Sequence, residues 1–501
     1  MLRTGQCLSW IVICASCLTS IARAQAIALH HSSETGQKQE VRQSWRLMLT
    51  PMPEGRPALK RSLLPRYWEQ QHGDATPFYL RALMQEAGLP AETRNVYRDH
   101  VDEWMWTADE LGQDARKAIR EWLAAYDKIL EDVHVATYRE RIDLDLRLRD
   151  LSGLDAIYFR LPAAQRTRDL ARMLQIKVRL EISEGQYDEA IETLRMGYRL
   201  AEFAAETPTL INDLVGVAIA NIMTHELVRL IGSPDAPNMY WAIASLPRPL
   251  IDMRQAFEHE SAIVLQIFPF LKDAETARRS PDQWRQLVVG VFTSIPELTG
   301  DSADKKEPLS PAEVEELMMK GFPQAKQELV NDGVDKKTVE AMSVGQVIAI
   351  HTARRNRRMY DENYKWFMLS FAEARKHWAL SQPNQLPDDA TPTNTDGVEI
   401  IPITSILMPS FRPAWRASMR LERQLAAVRA IEAIRMHAAA NEGTLPKSLA
   451  NITAAVVPDD PFLDQPFTYR VNGETAILTT KSAGTDEPWY EIYRYELTIK
   501  K

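Results

Sequence analysis

Apolar positions recur at three- and four-residue steps over most of this chain and switch to strict alternation only near its end. Between Gln113 and Val133, the residues Ala118, Trp122, Ala125, Ile129 and Val133 fall on one stripe, which predicts a single surface helix. From Arg166 to Phe203 the pattern predicts a helical hairpin. Leu170, Leu174, Val178 and Glu181 prepare its first helix, Glu184-Gly185-Gln186 breaks it, and Tyr187, Ala190, Ile191, Leu194 and Leu200 carry the second. Leu210 to Ile231 is apolar almost all round, through Leu214, Val215, Val217, Ile219, Ile222 and Met223. Such a helix belongs in a protein interior, and Gly216 and Ala220, one turn apart, let a neighbour cross closely. Asn212, Asp213 and Asn221 interrupt it, which argues against a membrane span; the two asparagines suit an internal hydrogen-bond network. Ser280-Pro281-Asp282-Gln283 and Ser310-Pro311-Ala312-Glu313 each place a serine cap, a proline and a reciprocating Gln or Glu where a helix begins. Helices are expected as far as about Trp378.

The end of the chain has another rhythm. Leu421, Leu425, Val428, Ile431, Ile434 and Ala438 make a long helical stripe flanked by Arg420, Arg423, Arg429 and Arg435, ended by Glu442-Gly443. Phe467–Val471 and Thr475–Thr480, joined through Asn472-Gly473, predict a hairpin. Tyr493, Tyr495, Leu497 and Ile499 alternate with Arg494, Glu496, Thr498 and Lys500, as a half-buried strand requires.

These patterns divide the chain into a leader (1–24), a polar, proline-bearing lead-in (25–76) and a helical domain (77–380). A linker or long loop rich in Pro, Asp, Thr and Asn (381–399) leads to a long helix plus small antiparallel sheet (400–501). The expected class is mainly α, packed helical hairpins with a small C-terminal α+β module. All three cysteines, Cys7, Cys14 and Cys17, lie in the leader. Its Arg3, its apolar run and Ala22-Arg23-Ala24 form a secretory signal with cleavage before Gln25. Removal leaves no thiol, so cysteine nucleophiles, cysteine-ligated metals and disulfides are excluded from the mature chain. Two alternatives stay open, an uncleaved anchor and lipidation of Cys17. The expected location is extracytoplasmic, periplasmic or secreted. The formal charge is −8, and loss of Arg3 and Arg23 makes it more negative still, which disfavours phosphate backbones as partners.

Three resemblances arise. Gly185-Gln186-Tyr187-Asp188-Glu189-Ala190-Ile191 resembles the turn and second-helix start of a tetratricopeptide repeat, although Val178, Gly197 and Glu202 depart from its pattern. With no second copy at the expected spacing, it implies one αα-hairpin rather than an array. Asn441-Glu442-Gly443-Thr444-Leu445-Pro446, then Val457-Pro458-Asp459-Asp460-Pro461-Phe462 and Pro466-Phe467-Thr468-Tyr469, resembles the C-terminal region of type II secretion pseudopilins. There a helix leads through a proline-rich loop to a small antiparallel sheet. Ser482-Ala483-Gly484-Thr485-Asp486 is similar to that family's calcium loop, with Glu487 in place of the glycine that usually follows. The pilin N-terminus is missing, so the resemblance covers a module only. Finally, Asp143-Leu144-Asp145-Leu146, Leu180 to Ala190, Pro208 to Asn212, Asn238 to Ala242, Leu246 to Leu250 and Glu340-Ala341-Met342 resemble uncharacterised exported proteins of planctomycete-type bacteria. That likeness implies export and brings no activity.

Catalytic spacing is sparse. His225-Glu226 and His259-Glu260 begin like H-E-x-x-H, yet Arg229 and Ile263 stand where the second histidine must be, so neither can grip zinc from one helical turn. Asp459, Asp460, Asp464 and Asp486 offer oxygen ligands for calcium, against the plainer reading that they serve turns. Arg354, Arg355, Arg357 and Arg358 form the densest basic run, read as a solvated face paired with Asp361 and Glu362. Trp104, Trp106 and Tyr240-Trp241 are read as packing anchors before sugar-stacking platforms. No catalytic, cofactor or metal residues are assigned. The expected function is an exported, non-catalytic scaffold or binding protein that presents a helical-hairpin surface to a protein or envelope component. The alternative is an exported hydrolase with a cleft between helical body and C-terminal module.

Overall fold

A computed structural model describes residues 41–106, 111–153, 156, 162–299, 310–381, 411–480 and 492–500. The leader with its cysteines, the 381–399 linker beyond Ser381, and the Ser482–Asp486 loop lie outside the described residues. The chain is mainly α, with a small mixed sheet. In order, the helices are α1 (Thr76–Gly88), α2 (Ala91–Asp99), α3 (Gln113–Ala124), α4 (Asp127–Thr137), α5 (Pro162–Ser183), α6 (Tyr187–Ala205), α7 (Leu210–Gly232) and α8 (Tyr240–Ala244). They continue with α9 (Arg254–Ile267), α10 (Phe270–Asp273), α11 (Pro281–Thr299), α12 (Pro311–Asn331), α13 (Lys336–Ala341), α14 (Val344–Tyr364), α15 (Phe371–Ser381) and α16 (Phe411–Ala440).

The hairpin α5–α6 forms where its break was placed. Gly185 takes φ +72°, its N–H donates to Ile182 O, and the Gln186 N–H donates to Glu181 O at 2.8 Å, the paired closure that ends a helix on a left-handed glycine. Both serine caps form as reciprocal boxes: the Gln283 and Glu313 amides donate to Ser280 and Ser310 Oγ, and their side chains accept the serine amides in return. The 113–133 stripe is not one helix. It breaks at Ala125 and Tyr126, which leaves Ala125 exposed and buries Tyr126 instead. The break lets α3 pack on α5 while α4 turns to α1 and α6, and no local glycine or proline announces it.

The helix α7 is interior as expected, and it crosses α6 where Gly216 sits. A Cβ added at Gly216 would stand 2.7 Å from the carbonyl oxygen of Ala201 on α6, closer than such contacts allow. Gly216→Ala is therefore expected to destabilise by about 1–3 kcal/mol. Gly290→Ala on α11, with nothing within 4 Å of the new methyl, should be neutral or stabilise by up to about 1 kcal/mol. Urea midpoints of the two variants against the parent check the contrast.

The strands are β1 (Val41–Leu49), β2 (Gln71–Asp74), β3 (Arg139–Arg141), β4 (Thr468–Asn472), β5 (Thr475–Thr479) and β6 (Ile492–Ile499). The main sheet runs β1-β6-β5-β4, with β4, β5 and β6 antiparallel as expected and β1 parallel to β6, so it is mixed. The β4–β5 turn uses Gly473 (φ +64°) and Glu474, one position later than the Asn472-Gly473 expected, with Asn472 and Thr475 as the closing pair. Residues 41–49 of the supposed lead-in are thus a sheet strand. Their own alternation explains it: Gln43 and Leu49 are buried, Trp45 and Leu47 half-buried, and Ser44, Arg46 and Met48 exposed. Trp45 stacks on Tyr495, its register partner, with ring centres 4.7 Å apart.

The C-terminal helix and sheet pack into the core of the helical body. One core holds side chains from α1 through α9, from α16 and from the sheet, and α16 packs directly on α7 and α8. A second core gathers Trp284, Val288, Val314, Leu329 and Val347 from α11, α12 and α14, and a third places Ala374 against Trp415, Met419, Phe462 and Leu463.

Candidate functional site

Buried charge along α16 is where the interior polar chemistry concentrates. Arg435 and Glu432 are both fully buried and one turn apart, with Nη1–Oε2 at 3.0 Å. Glu432 also accepts from Asn238 Nδ2 (2.8 Å) and the Met239 amide (2.9 Å), while Arg435 donates to Ala236 O (2.6 Å) and Thr50 O (3.1 Å). Further toward the N-terminus, Arg423 grips Asp460 through Nε and Nη2, the latter at 2.6 Å, and Asp460 accepts the Phe462 amide. Glu422 accepts the Leu250 amide at 2.8 Å; burial pushes its carboxyl up to about 7, eased by that amide and by the Arg248 charge. These side chains bind the backbone of the 236–250 segment, the residues just after β1 and the proline-rich loop to one helix. Arg423 and Arg435, which flank the apolar stripe in sequence, are therefore buried fasteners.

A second polar site lies where α7 begins. The Leu210 amide donates to Glu260 Oε1 at 3.1 Å, and Thr209 Oγ1 accepts from the Asn212 amide. Burial pushes the Glu260 carboxyl on α9 up to about 7, against the pull of that amide. One turn into α7, burial pushes Asp213 well above the carboxylate range, with the charges of Asp252 and Glu260 adding to it. Asp213 Oδ2 and Asn212 Oδ1 meet no hydrogen-bond partner among the described residues, so the network expected around Asn212 is not seen. The exposed rim is ordinary in contrast: the Arg254 guanidinium holds Asp252 below its usual range, and the Tyr364 hydroxyl donates to Glu258. Neutral buried carboxyls can donate hydrogen bonds or protons. Asp213 is 1% exposed and Glu260 7%, however, so both face the protein rather than a solvent cleft.

The other sequence candidates resolve separately. Glu226 pairs with Arg229, the residue standing in the second-histidine position, and accepts from Gln175; the His225 ring sits 6.0 Å from Trp45. Of the C-terminal aspartates, Asp460 is committed to Arg423, Asp464 turns outward toward Lys376, and Asp486 is outside the described residues. Among the described residues no group of three or more His, Cys, Asp or Glu could hold a metal ion. Arg354 pairs with Glu275 and Arg358 with Asp332, so these two arginines fasten α14 to its neighbours, while Glu362 pairs with Lys365. Trp104 is buried and stacked on His100, and the Tyr240 hydroxyl donates to Val456 O, as packing anchors do; Trp106's side chain is outside the description. The helix α7 has the length and hydropathy to cross a membrane, yet 72% of its most apolar window is buried inside the protein.

The surface carries one feature the sequence reading passed over. Leu63 is fully buried and Pro65 is buried, which fixes the segment before α1 onto the main core. Just beyond, Tyr67 is 84% and Trp68 73% exposed, with the Arg66 guanidinium 5.4 Å from the Trp68 ring. Its sequence signal is an aromatic doublet beside basic residues, within the proline-bearing lead-in. No protein-family model, curated protein or solved structure matches the chain.

Proposed function

We propose that this is an exported, non-catalytic binding or scaffold protein that engages a protein or envelope component, working outside the cytosol after cleavage near Ala24. The observation that carries the reading is the division of labour between interior and surface. Interior ionisable groups hold backbone segments together, while large apolar side chains such as Tyr67 and Trp68 stand in solvent, where exposed aromatic residues mark contact surfaces. The α5–α6 hairpin does not itself offer a groove, because α6 is enclosed by α4, α5 and α7.

The alternative, an exported hydrolase, draws on the carboxyls of Asp213 and Glu260, both pushed up by burial. One experiment separates the two. The chain from Gln25 onward is assayed for saturable binding to separated envelope lipids, cell-wall polymer and membrane proteins, and for turnover of ester, glycoside, phosphoester and peptide substrates. A binder shows saturation on one fraction and no turnover. Turnover abolished by Asp213→Asn or Glu260→Gln would establish the hydrolase instead.

A further inference from the structure

The segment from Arg56 to Trp68 contains Arg56, Lys60, Arg61 and Arg66 and no acidic residue, in a chain whose formal charge is −8. Its middle is anchored: Ser62, Leu63 and Pro65 are buried, and Gln70 Nε2 donates to Pro65 O to close the far side. Its two ends stand in solvent. Leu59 is 53% exposed beside Lys60 and Arg56, and Tyr67 and Trp68 project beside Arg66. Of the neighbouring acids, Asp188 pairs with Arg61 at 2.8 Å, while Glu69 accepts the Arg66 amide at 2.8 Å and Glu54 accepts from Trp241 Nε1, both neutral donors that leave the two carboxylates charged. Among the described residues, Arg56, Lys60 and Arg66 flank the exposed apolar tips.

We infer that this segment docks the protein on the surface of an anionic lipid bilayer, with Trp68, Tyr67 and Leu59 entering the headgroup layer and Arg56, Lys60 and Arg66 meeting its phosphates. The inference rests on the reading of the protein as a binder of envelope components and names the component. Tyrosine and tryptophan favour that interface because each has an apolar body and a polar tip. Cations beside them add attraction to anionic headgroups. A stable protein partner would need about 800 Å² from this side, whereas three exposed apolar tips on an anchored base suit shallow insertion.

The test uses the chain from Gln25 onward, so that the leader cannot itself bind lipid, sedimented with vesicles of equal phosphatidylglycerol and phosphatidylcholine, or of phosphatidylcholine alone. The anionic vesicles should bind at least roughly tenfold more tightly, with binding weakening as salt rises. Tyr67→Ser/Trp68→Ser and Lys60→Glu/Arg66→Glu, each checked for native circular dichroism, should each lower the affinity by roughly tenfold. Both pairs change exposed or half-buried positions; should one fail to fold, the other decides. Absent vesicle binding, equal binding to both vesicles, or binding unchanged in the variants would overturn the inference. Trp68-dependent capture of polyglutamate without vesicle binding would overturn it too, in favour of an acidic protein partner. None of these results sinks the broader binder reading, which the cell-wall and membrane-protein arms test separately.

Discussion

Replacing Arg435 with methionine is expected to destabilise the protein by about 3–5 kcal/mol, because it leaves the Glu432 carboxylate buried without its counter-ion. Arg435 is more than half of an ion pair. It holds carbonyls of Thr50 and Ala236, and the Met52 amide donates to its own carbonyl, so one side chain joins α16, the chain that follows β1 and the loop before α8. A loss of that size is a large share of the total stability of a folded domain. The double replacement Glu432→Gln/Arg435→Met removes the stranded charge and should recover part of it. Urea denaturation of both variants measures the difference. A single variant within about 1 kcal/mol of the parent would mean that the pair does not fasten the fold.

The second large effect is a dependence on pH. Burial pushes Glu260 and Glu422 up to about 7 in the folded protein, from an ordinary 4.5. Each is neutral when folded while its unfolded counterpart begins to ionise near 4.5. The stability each contributes is fully present below that value, declines as pH rises, and is lost once pH passes about 7. That amounts to about 3 kcal/mol for each group. Asp252 and Glu496 act in the opposite window: hydrogen bonds from Arg254 and Arg494 hold them low, so their contribution is present above the ordinary carboxylate range and lost in acid. Melting temperature should therefore fall between pH 4.5 and 8. Glu260→Gln and Glu422→Gln, which keep an oxygen for the Leu210 and Leu250 amides, should flatten that fall and raise the melting temperature at pH 8. A profile identical to the parent's in both variants would show that these carboxyls are not held neutral.

What could be read from the sequence follows the range of its signals. The stripes of α7 and α16, the serine caps, the Gly185 break and the alternation ending in Ile499 are local, and they form where the pattern puts them. Long-range pairing left no such trace. The Trp45–Leu47–Leu49 alternation was present, but Pro51, Pro53, Pro57 and Pro65 drew the whole region into a loose lead-in, and nothing nearby announces a parallel partner at β6. The break at Ala125 is likewise set by what α3 and α4 pack against. The roles of Arg423 and Arg435 were not legible because their partners Asp460, Ala236 and Thr50 are distant in the chain. The buried acids at the start of α7 were visible as interruptions of an apolar helix, while Glu260, which faces them from α9, was visible only as part of a failed zinc motif.

Hydrogen exchange across the intact chain tests most directly whether β1, β6 and the helical body share one core. A shared core requires peptides from 43–49, 190–204, 425–438 and 493–499 to become exchangeable together, in one cooperative opening. Exchange of 43–49 and 493–499 well ahead of 190–204 would contradict it, and would make the sheet an appendage of the helical body.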